Sequence, residues 1–63
     1  MYPTTKRKFR IVDNKMYGQN FVIGQIVELV RVYDDGVYEL RGELFNRIQN
    51  QDVHPIDVVE VYE

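Results

Sequence analysis

The sequence predicts an all-β domain, a small five-stranded barrel with one 3₁₀ turn before its last strand. Residues 21–41 form a long apolar segment, an Asp-Asp-Gly turn and a second segment in which apolar and polar residues alternate, which is the pattern of a β-hairpin. Shorter alternating segments precede and follow this hairpin. No stretch of the chain shows the helical period of about 3.6 residues, so we expect no α-helix.

The N-terminal half of the domain contains one short strand and one loop before the hairpin. Residues 8–12 alternate charged and apolar side chains and predict the first strand. Residues 13–20 are rich in turn-forming side chains and predict a loop. Two apolar residues, Met16 and Tyr17, interrupt this loop, and they either fold back onto the core or form an exposed surface. We expect them to fold back.

The long strand of the hairpin, residues 25–33, has no wholly polar face. This pattern predicts a strand that bends, so that Val27 and Leu29 face the core at one end and Val30 or Val32 at the other. The remaining predicted elements are strands at 37–41, 44–48 and 58–62, a tight connection at Gly42 and Glu43, a polar loop at 50–52, and a single 3₁₀ turn that begins at Pro55.

Composition excludes several kinds of protein. The chain has 63 residues, of which 44% are hydrophobic and 29% charged, as in an ordinary folded domain. It has neither an apolar run long enough to span a membrane nor an N-terminal signal core, so we expect a cytoplasmic protein. Serine and cysteine are both absent, so the usual nucleophiles and thiolate metal ligands are absent too. We therefore expect no enzymatic activity and no catalytic residue.

The single histidine, His54, is the one residue that suggests metal binding or general base catalysis. Asp52 and Asp57 lie near it in the sequence. A metal site needs more ligands than one histidine and these two acids supply, so we interpret His54 as a loop residue that forms a hydrogen bond at a turn. We expect no metal and no cofactor.

Charge is distributed unevenly along the chain, although the net charge is only −2. The first ten residues carry four basic side chains, Lys6, Arg7, Lys8 and Arg10, and no acid. We divide the chain into a flexible basic arm, residues 1–7, and a single barrel domain, residues 8–63. The basic residues are candidate phosphate contacts, although an acidic domain repels a polyanion at longer range.

Aromatic residues provide the main candidate binding site. The phenylalanines are expected in the core, because a buried tyrosine needs a partner for its hydroxyl group. Several tyrosines should therefore lie at the surface. Tyr33 and Tyr38 flank the same turn and are expected to form an exposed aromatic patch beside acidic side chains, a residue mix that occurs in protein interfaces. The candidate protein-binding residues are Tyr17, Tyr33, Asp34, Asp35, Tyr38 and Glu39.

Three segments resemble the SH3-like barrel family. Residues 23–29 (IGQIVEL) resemble its glycine followed by a core strand, residues 34–40 (DDGVYEL) its acidic turn and aromatic strand, and residues 53–59 (VHPIDVV) its closing 3₁₀ turn. The chain lacks tryptophan, and Val37 and Tyr38 stand where peptide-binding SH3 domains have a pair of tryptophans. The resemblance therefore does not imply a groove for proline-rich peptides.

The chain also resembles the small SH3-like proteins encoded by bacteriophages, many of which bind a host protein. This resemblance implies a protein-binding module that modulates a host protein in the host cytoplasm. The alternative is a small nucleic-acid-binding barrel that uses the basic N-terminal residues. A third hypothesis is self-association through an edge strand such as residues 58–62.

Overall fold

The structure is a computed structural model that describes residues 7–16 and 18–62. It confirms an all-β fold, with five strands, a 3₁₀ turn immediately before the last strand, and no α-helix in the described ranges. The elements are β1 (Lys8–Ile11), β2 (Ile26–Val32), β3 (Tyr38–Leu44), β4 (Arg47–Val53), the 3₁₀ turn (Pro55–Asp57) and β5 (Val58–Val61).

The five strands form one antiparallel sheet in the order β4-β3-β2-β1-β5. No ladder joins β4 to β5 among the described residues, so the sheet is not the closed barrel that the sequence predicted. The sheet must nevertheless curl. In a flat sheet the edge strands would lie about 19 Å apart, whereas the chain from Val53 to Val58 spans at most about 17 Å. The 3₁₀ turn shortens this connection further, and within the described ranges no ladder joins the two edges across it.

The predicted hairpin is confirmed. The backbone N–H of Gly36 donates to the carbonyl of Tyr33 at 2.9 Å, and Gly36 has a φ of 90°, which is the left-handed region that glycine adopts without strain. A register shift between Leu29 and Arg31 is a β-bulge that accounts for the irregular pattern of β2. Val32 pairs with Tyr38 on the core side of the sheet but stays 48% exposed.

Three predicted assignments in β3 and β4 are wrong. Gly42 and Glu43 are not a connection but lie within β3, and residues 50–52 are not a loop but part of β4. Gly42 is a glycine because of packing: a Cβ there would lie 2.6 Å from Cγ1 of the buried Val27. The chain reverses instead at Phe45 and Asn46, inside the segment 44–48 that the sequence predicted as one strand. Strand β4 resembles a loop in sequence because it lies at a sheet edge, where polar side chains remain hydrated.

One hydrophobic cluster draws on all five strands. The predicted core faces of Phe9 with Ile11, and of Val27 with Leu29, point into it. Phe45 is an exception to the expectation that phenylalanines are buried, because its side chain is 81% exposed. Met16 is 52% exposed and does not fold back, and Tyr17 lies outside the described residues. The cluster consists of Phe9, Ile11, Phe21, Val27, Leu40, Leu44 and Val53, with Leu29, Tyr38 and Val58 packed against it.

Candidate functional site

The tip of the β2–β3 hairpin carries the candidate site that the sequence predicted. A shallow cleft of about 900 Å³ opens there. Val37 is buried and forms an apolar part of the cleft lining, while an aromatic side chain and three carboxylates form the rest. We call Tyr33, Asp34, Asp35, Glu39 and Asp52 the hairpin surface.

Tyr33 is held in place by carboxylates on the two following strands. Its hydroxyl oxygen lies 3.1 Å from Oδ1 of Asp52 and 3.4 Å from Oε1 of Glu39. Partial burial raises the pKa of Tyr33 above its ordinary value, and the hydrogen bond to Asp52 and the negative charges of both acids raise it further. The ring is thus fixed at the edge of the cleft with its hydroxyl group protonated at neutral pH.

The acids of the hairpin surface differ in how far their charge is compensated. Glu39 accepts from Nε of Arg31 at 2.8 Å and from Nδ2 of Asn50 at 3.0 Å. Asp35 accepts a hydrogen bond from the backbone N–H of Val37 at 3.1 Å. Neither Asp34 nor Asp35 forms a salt bridge with another residue in the described ranges. Negative charge is therefore in excess at the tip of the hairpin.

The structure does not bring Tyr33 and Tyr38 into one aromatic patch. Tyr38 points to the core side of the sheet, where its ring centroid lies 4.9 Å from that of Phe9. Tyr33 lies with Glu39 and Asp52 on the other side. The bulge between Leu29 and Arg31 shifts the end of β2 by one residue, so Val32 pairs with Tyr38 on the core side and the next residue, Tyr33, points to the outer face. Tyr17, also predicted in this site, lies outside the described residues.

The basic residues near the N-terminus are split between two environments. Arg7 forms a bidentate ion pair with Glu60 (Nε–Oε2 2.8 Å, Nη2–Oε1 3.0 Å), and its guanidinium lies 5.4 Å from the centroid of the Phe9 ring. The hydrogen bond between them raises the pKa of Arg7 and lowers that of Glu60. Lys8 faces Glu28 across the sheet, with Glu28 as its Cα partner in β2.

Arg10 is exposed on the outer face of the sheet, and Lys6 lies outside the described residues. With Arg7 held by Glu60 and Lys8 opposite an acid, the described residues do not form a contiguous basic surface. Nucleic-acid binding stays a prediction. It is tested by titrating the chain with single- and double-stranded DNA and RNA at low salt, where phosphate contacts give affinity that falls steeply as salt rises.

His54 and Asp57 have structural roles. Nδ1 of His54 accepts a hydrogen bond from the backbone N–H of Ile56 at 3.1 Å, which confirms the interpretation of His54 as a hydrogen-bonding turn residue. Asp57 is fully buried and accepts from the backbone N–H groups of Lys15 and Met16. The described residues contain no group of three or more His, Cys, Asp or Glu side chains arranged to hold a metal ion.

Sequence reasoning missed a second surface at the opposite end of β3. Five large apolar side chains are exposed there, and three of them line a hollow of about 600 Å³ together with Gly24, Gln25, Glu43 and Asn46. The dipeptide Phe45-Asn46 between two alternating segments was the one available sequence signal, because Asn favours two-residue turns. We call this set the end surface: Val22, Ile23, Ile26, Phe45 and Ile48.

Comparison with known protein families, curated proteins and solved structures finds no match for this chain. In the described part of the chain, no helix has the length and apolar character needed to cross a membrane.

Proposed function

We propose that this protein is a non-catalytic binding module of the SH3-like kind that binds a partner protein through the hairpin surface. The observation that carries the proposal is the cleft at the hairpin tip. It combines an immobilised tyrosine, an apolar wall formed by Val37, and Asp34 and Asp35, whose charges no described basic residue neutralises.

The chemistry of the cleft favours a partner that presents lysine or arginine beside an apolar residue. Carboxylates form short, charge-assisted hydrogen bonds with such cations, and a tyrosine ring offers a rigid amphipathic contact of low entropic cost. Uncompensated acids at a protruding tip also accelerate the approach of a basic partner. The proposal takes a host protein as the partner, in line with the resemblance to phage-encoded SH3-like proteins.

The test compares capture by matched variants. The wild-type chain and the variants Tyr33→Ala and Tyr62→Ala are immobilised and exposed to lysate of the native host, and bound proteins are quantified by mass spectrometry. Tyr62 is the control because it is an 84% exposed tyrosine whose hydroxyl group bonds to Glu60, away from the hairpin surface. A protein that binds the wild type and the Tyr62→Ala variant but not Tyr33→Ala supports the proposal.

The affinity of the purified partner is then measured by calorimetry. We expect the double variant Asp34→Asn with Asp35→Asn to weaken binding by about tenfold or more, because truncating a central charged contact costs more than about 1.4 kcal/mol. The substitution keeps the side-chain oxygen that accepts from Val37, so the turn is preserved. Equal binding by the wild type and both hairpin variants would reject the hairpin surface as the site.

A further inference from the structure

We propose that the end surface binds a second copy of this chain, face to face, and that the protein is a two-fold symmetric dimer. This inference concerns the opposite end of β3 from the hairpin surface and does not depend on the proposed function. It starts from exposure: Val22, Ile23, Phe45 and Ile48 are 69%, 56%, 81% and 67% exposed, and Ile26 is 44% exposed. Monomers rarely leave a continuous group of this kind uncovered.

The five side chains form one continuous surface. Val22, Ile23 and Phe45 border the same hollow, together with Glu43. Ile48 is the Cα partner of Glu43 across the β3–β4 ladder. Ile26 lies opposite Glu43 in the register of the β2–β3 ladder, on the outer face of the sheet. The whole set therefore surrounds Glu43 at one end of the sheet.

Phe45 occupies an unfavourable position for a residue that has only a structural role. It and Asn46 form the two-residue turn between β3 and β4 with φ values of 53° and 64°. This left-handed turn favours asparagine and glycine, and a bulky aromatic residue is strained in it. In the monomer the exposed ring gains no burial to offset the strain. Burial of the ring against another molecule would offset it.

The charges on this face indicate which molecule covers it. Arg10 is the Cα partner of both Ile26 and Val59. Glu28 pairs with Arg41 in the antiparallel β2–β3 ladder. Two residues earlier in β2 and two residues later in β3, the same register places Ile26 opposite Glu43. One row therefore crosses all five strands in the order Val59, Arg10, Ile26, Glu43, Ile48, which is apolar, positive, apolar, negative, apolar.

This row is self-complementary. A two-fold axis that runs parallel to β2 and passes over Ile26 reverses the order of the row in the second copy. Neighbouring strands are about 4.8 Å apart, so each Arg10 then lies over the Glu43 of the other copy, one strand from the axis, where the curl of the sheet still lets the two faces approach. Neither Arg10 nor Glu43 forms a salt bridge with another residue in the part of the chain that the structure describes.

The neighbouring row limits the contact to this end of the sheet. Lys8, Glu28 and Arg41 pair across β1, β2 and β3, and the same axis would place Glu28 over Glu28 and Lys8 over Arg41. These like charges repel, so the two copies diverge beyond Ile26. The loop residues of the end surface extend the contact in the other direction. In such a dimer the two hairpin surfaces remain free, and the protein presents two copies of its proposed partner-binding site.

The test measures the mass of the full chain by sedimentation equilibrium from micromolar to millimolar concentration. We expect the mass to rise from 7.6 kDa towards twice that value. Phe45→Asn places a residue suited to the turn and removes the ring, so the variant should fold at least as stably as the wild type and raise the dissociation constant about tenfold or more. The control Tyr62→Asn removes an 84% exposed aromatic ring elsewhere and should leave the dissociation constant unchanged.

A charge exchange separates a second copy from any other occupant. Arg10→Glu and Glu43→Arg should each prevent self-association, because each variant places like charges at both contacts. An equimolar mixture of the two variants brings opposite charges together at both contacts and should recover the dimer mass. A wild type that stays at 7.6 kDa at every concentration would overturn the proposal, as would a dissociation constant that Phe45→Asn leaves unchanged or a mixture that stays monomeric.

Discussion

The carboxylate of Asp57 accepts a hydrogen bond from the backbone N–H of Lys15, 3.1 Å away and 42 residues earlier in the chain. Its second oxygen accepts from the backbone N–H of Met16 at 3.2 Å. The backbone carbonyl of Asp57 accepts from Val12 and Asp13. Because Asp57 is fully buried, these bonds tie the 3₁₀ turn to the beginning of the first loop without competition from water.

We expect Asp57→Ala to lower the free energy of unfolding by about 2–3 kcal/mol, because it leaves two backbone N–H groups without their acceptor and creates a cavity. Urea denaturation measures the loss. Asp34→Ala is the control: Asp34 is exposed, and its removal should change stability by less than about 0.5 kcal/mol. Equal effects of the two substitutions would contradict the role assigned to Asp57.

Gly42→Ala should also destabilise the fold, by about 1–3 kcal/mol, because a Cβ would lie 2.6 Å from Cγ1 of Val27 and 3.2 Å from the ring of Phe21. The explanation is tested in a double-mutant cycle with Val27→Ala, which removes the clashing methyl group. Gly42→Ala should cost less in the Val27→Ala background than in the wild type. A cost that is the same in both backgrounds would show that overpacking is not the cause.

The ion pair between Arg7 and Glu60 predicts a pH dependence at acid pH. The hydrogen bond from Arg7 lowers the pKa of Glu60 below its ordinary value of 4.5. Since the folded-state pKa is lowered, the pair stabilises the fold above the ordinary pKa, and the contribution is lost as pH falls through the lowered folded value. The stability difference between the wild type and Glu60→Gln should therefore shrink on acidification. NMR titration of the Glu60 carboxyl gives the pKa directly, and a value at or above 4.5 would contradict the pairing.

Tyr33 predicts a pH dependence of the opposite sense. Its pKa is raised above 10.0 by partial burial, by the hydrogen bond to Asp52 and by the negative charge of Glu39. The folded state favours the protonated phenol, so this contribution to stability is present below the ordinary pKa and is lost as pH rises through the raised folded value. Absorbance titration of the phenolate should show Tyr33 ionising at lower pH in Asp52→Asn than in the wild type. Glu43→Gln, at the other end of β3, should leave the pKa of Tyr33 unchanged.

Local patterns made much of the fold predictable. The Asp-Asp-Gly turn, the alternation in the hairpin strands, and a proline ahead of the last strand are signals that act over a few residues, and the structure has a turn, a hairpin and a 3₁₀ turn at those places. The core faces of β1 and the first half of β2 follow from the same alternation. The prediction failed for strand β4, part of which was predicted as a loop, because an edge strand contains the same polar residues as a loop.

The candidate sites were less predictable because they depend on contacts between distant segments. The sequence placed Tyr33 and Tyr38 near one another along the chain, but a bulge and the alternation of strand faces direct their side chains to opposite sides of the sheet. The end surface joins residues from the loop before β2, from β2 itself, from the β3–β4 turn and from β4. No short-range pattern indicates that these segments meet.

Turn chemistry and alternating polarity act between near neighbours, and from these local signals alone the chain is expected to fold as five strands with one 3₁₀ turn, as the structure confirms. Packing between distant segments sets the rest: in the described ranges no ladder joins β4 to β5, Asp57 is buried while Phe45 is exposed, and Arg10 and Glu43 flank Ile26 in one row. Burial and cross-strand neighbours depend on how distant segments pack, so residues of ordinary local character acquire their roles only in the folded chain.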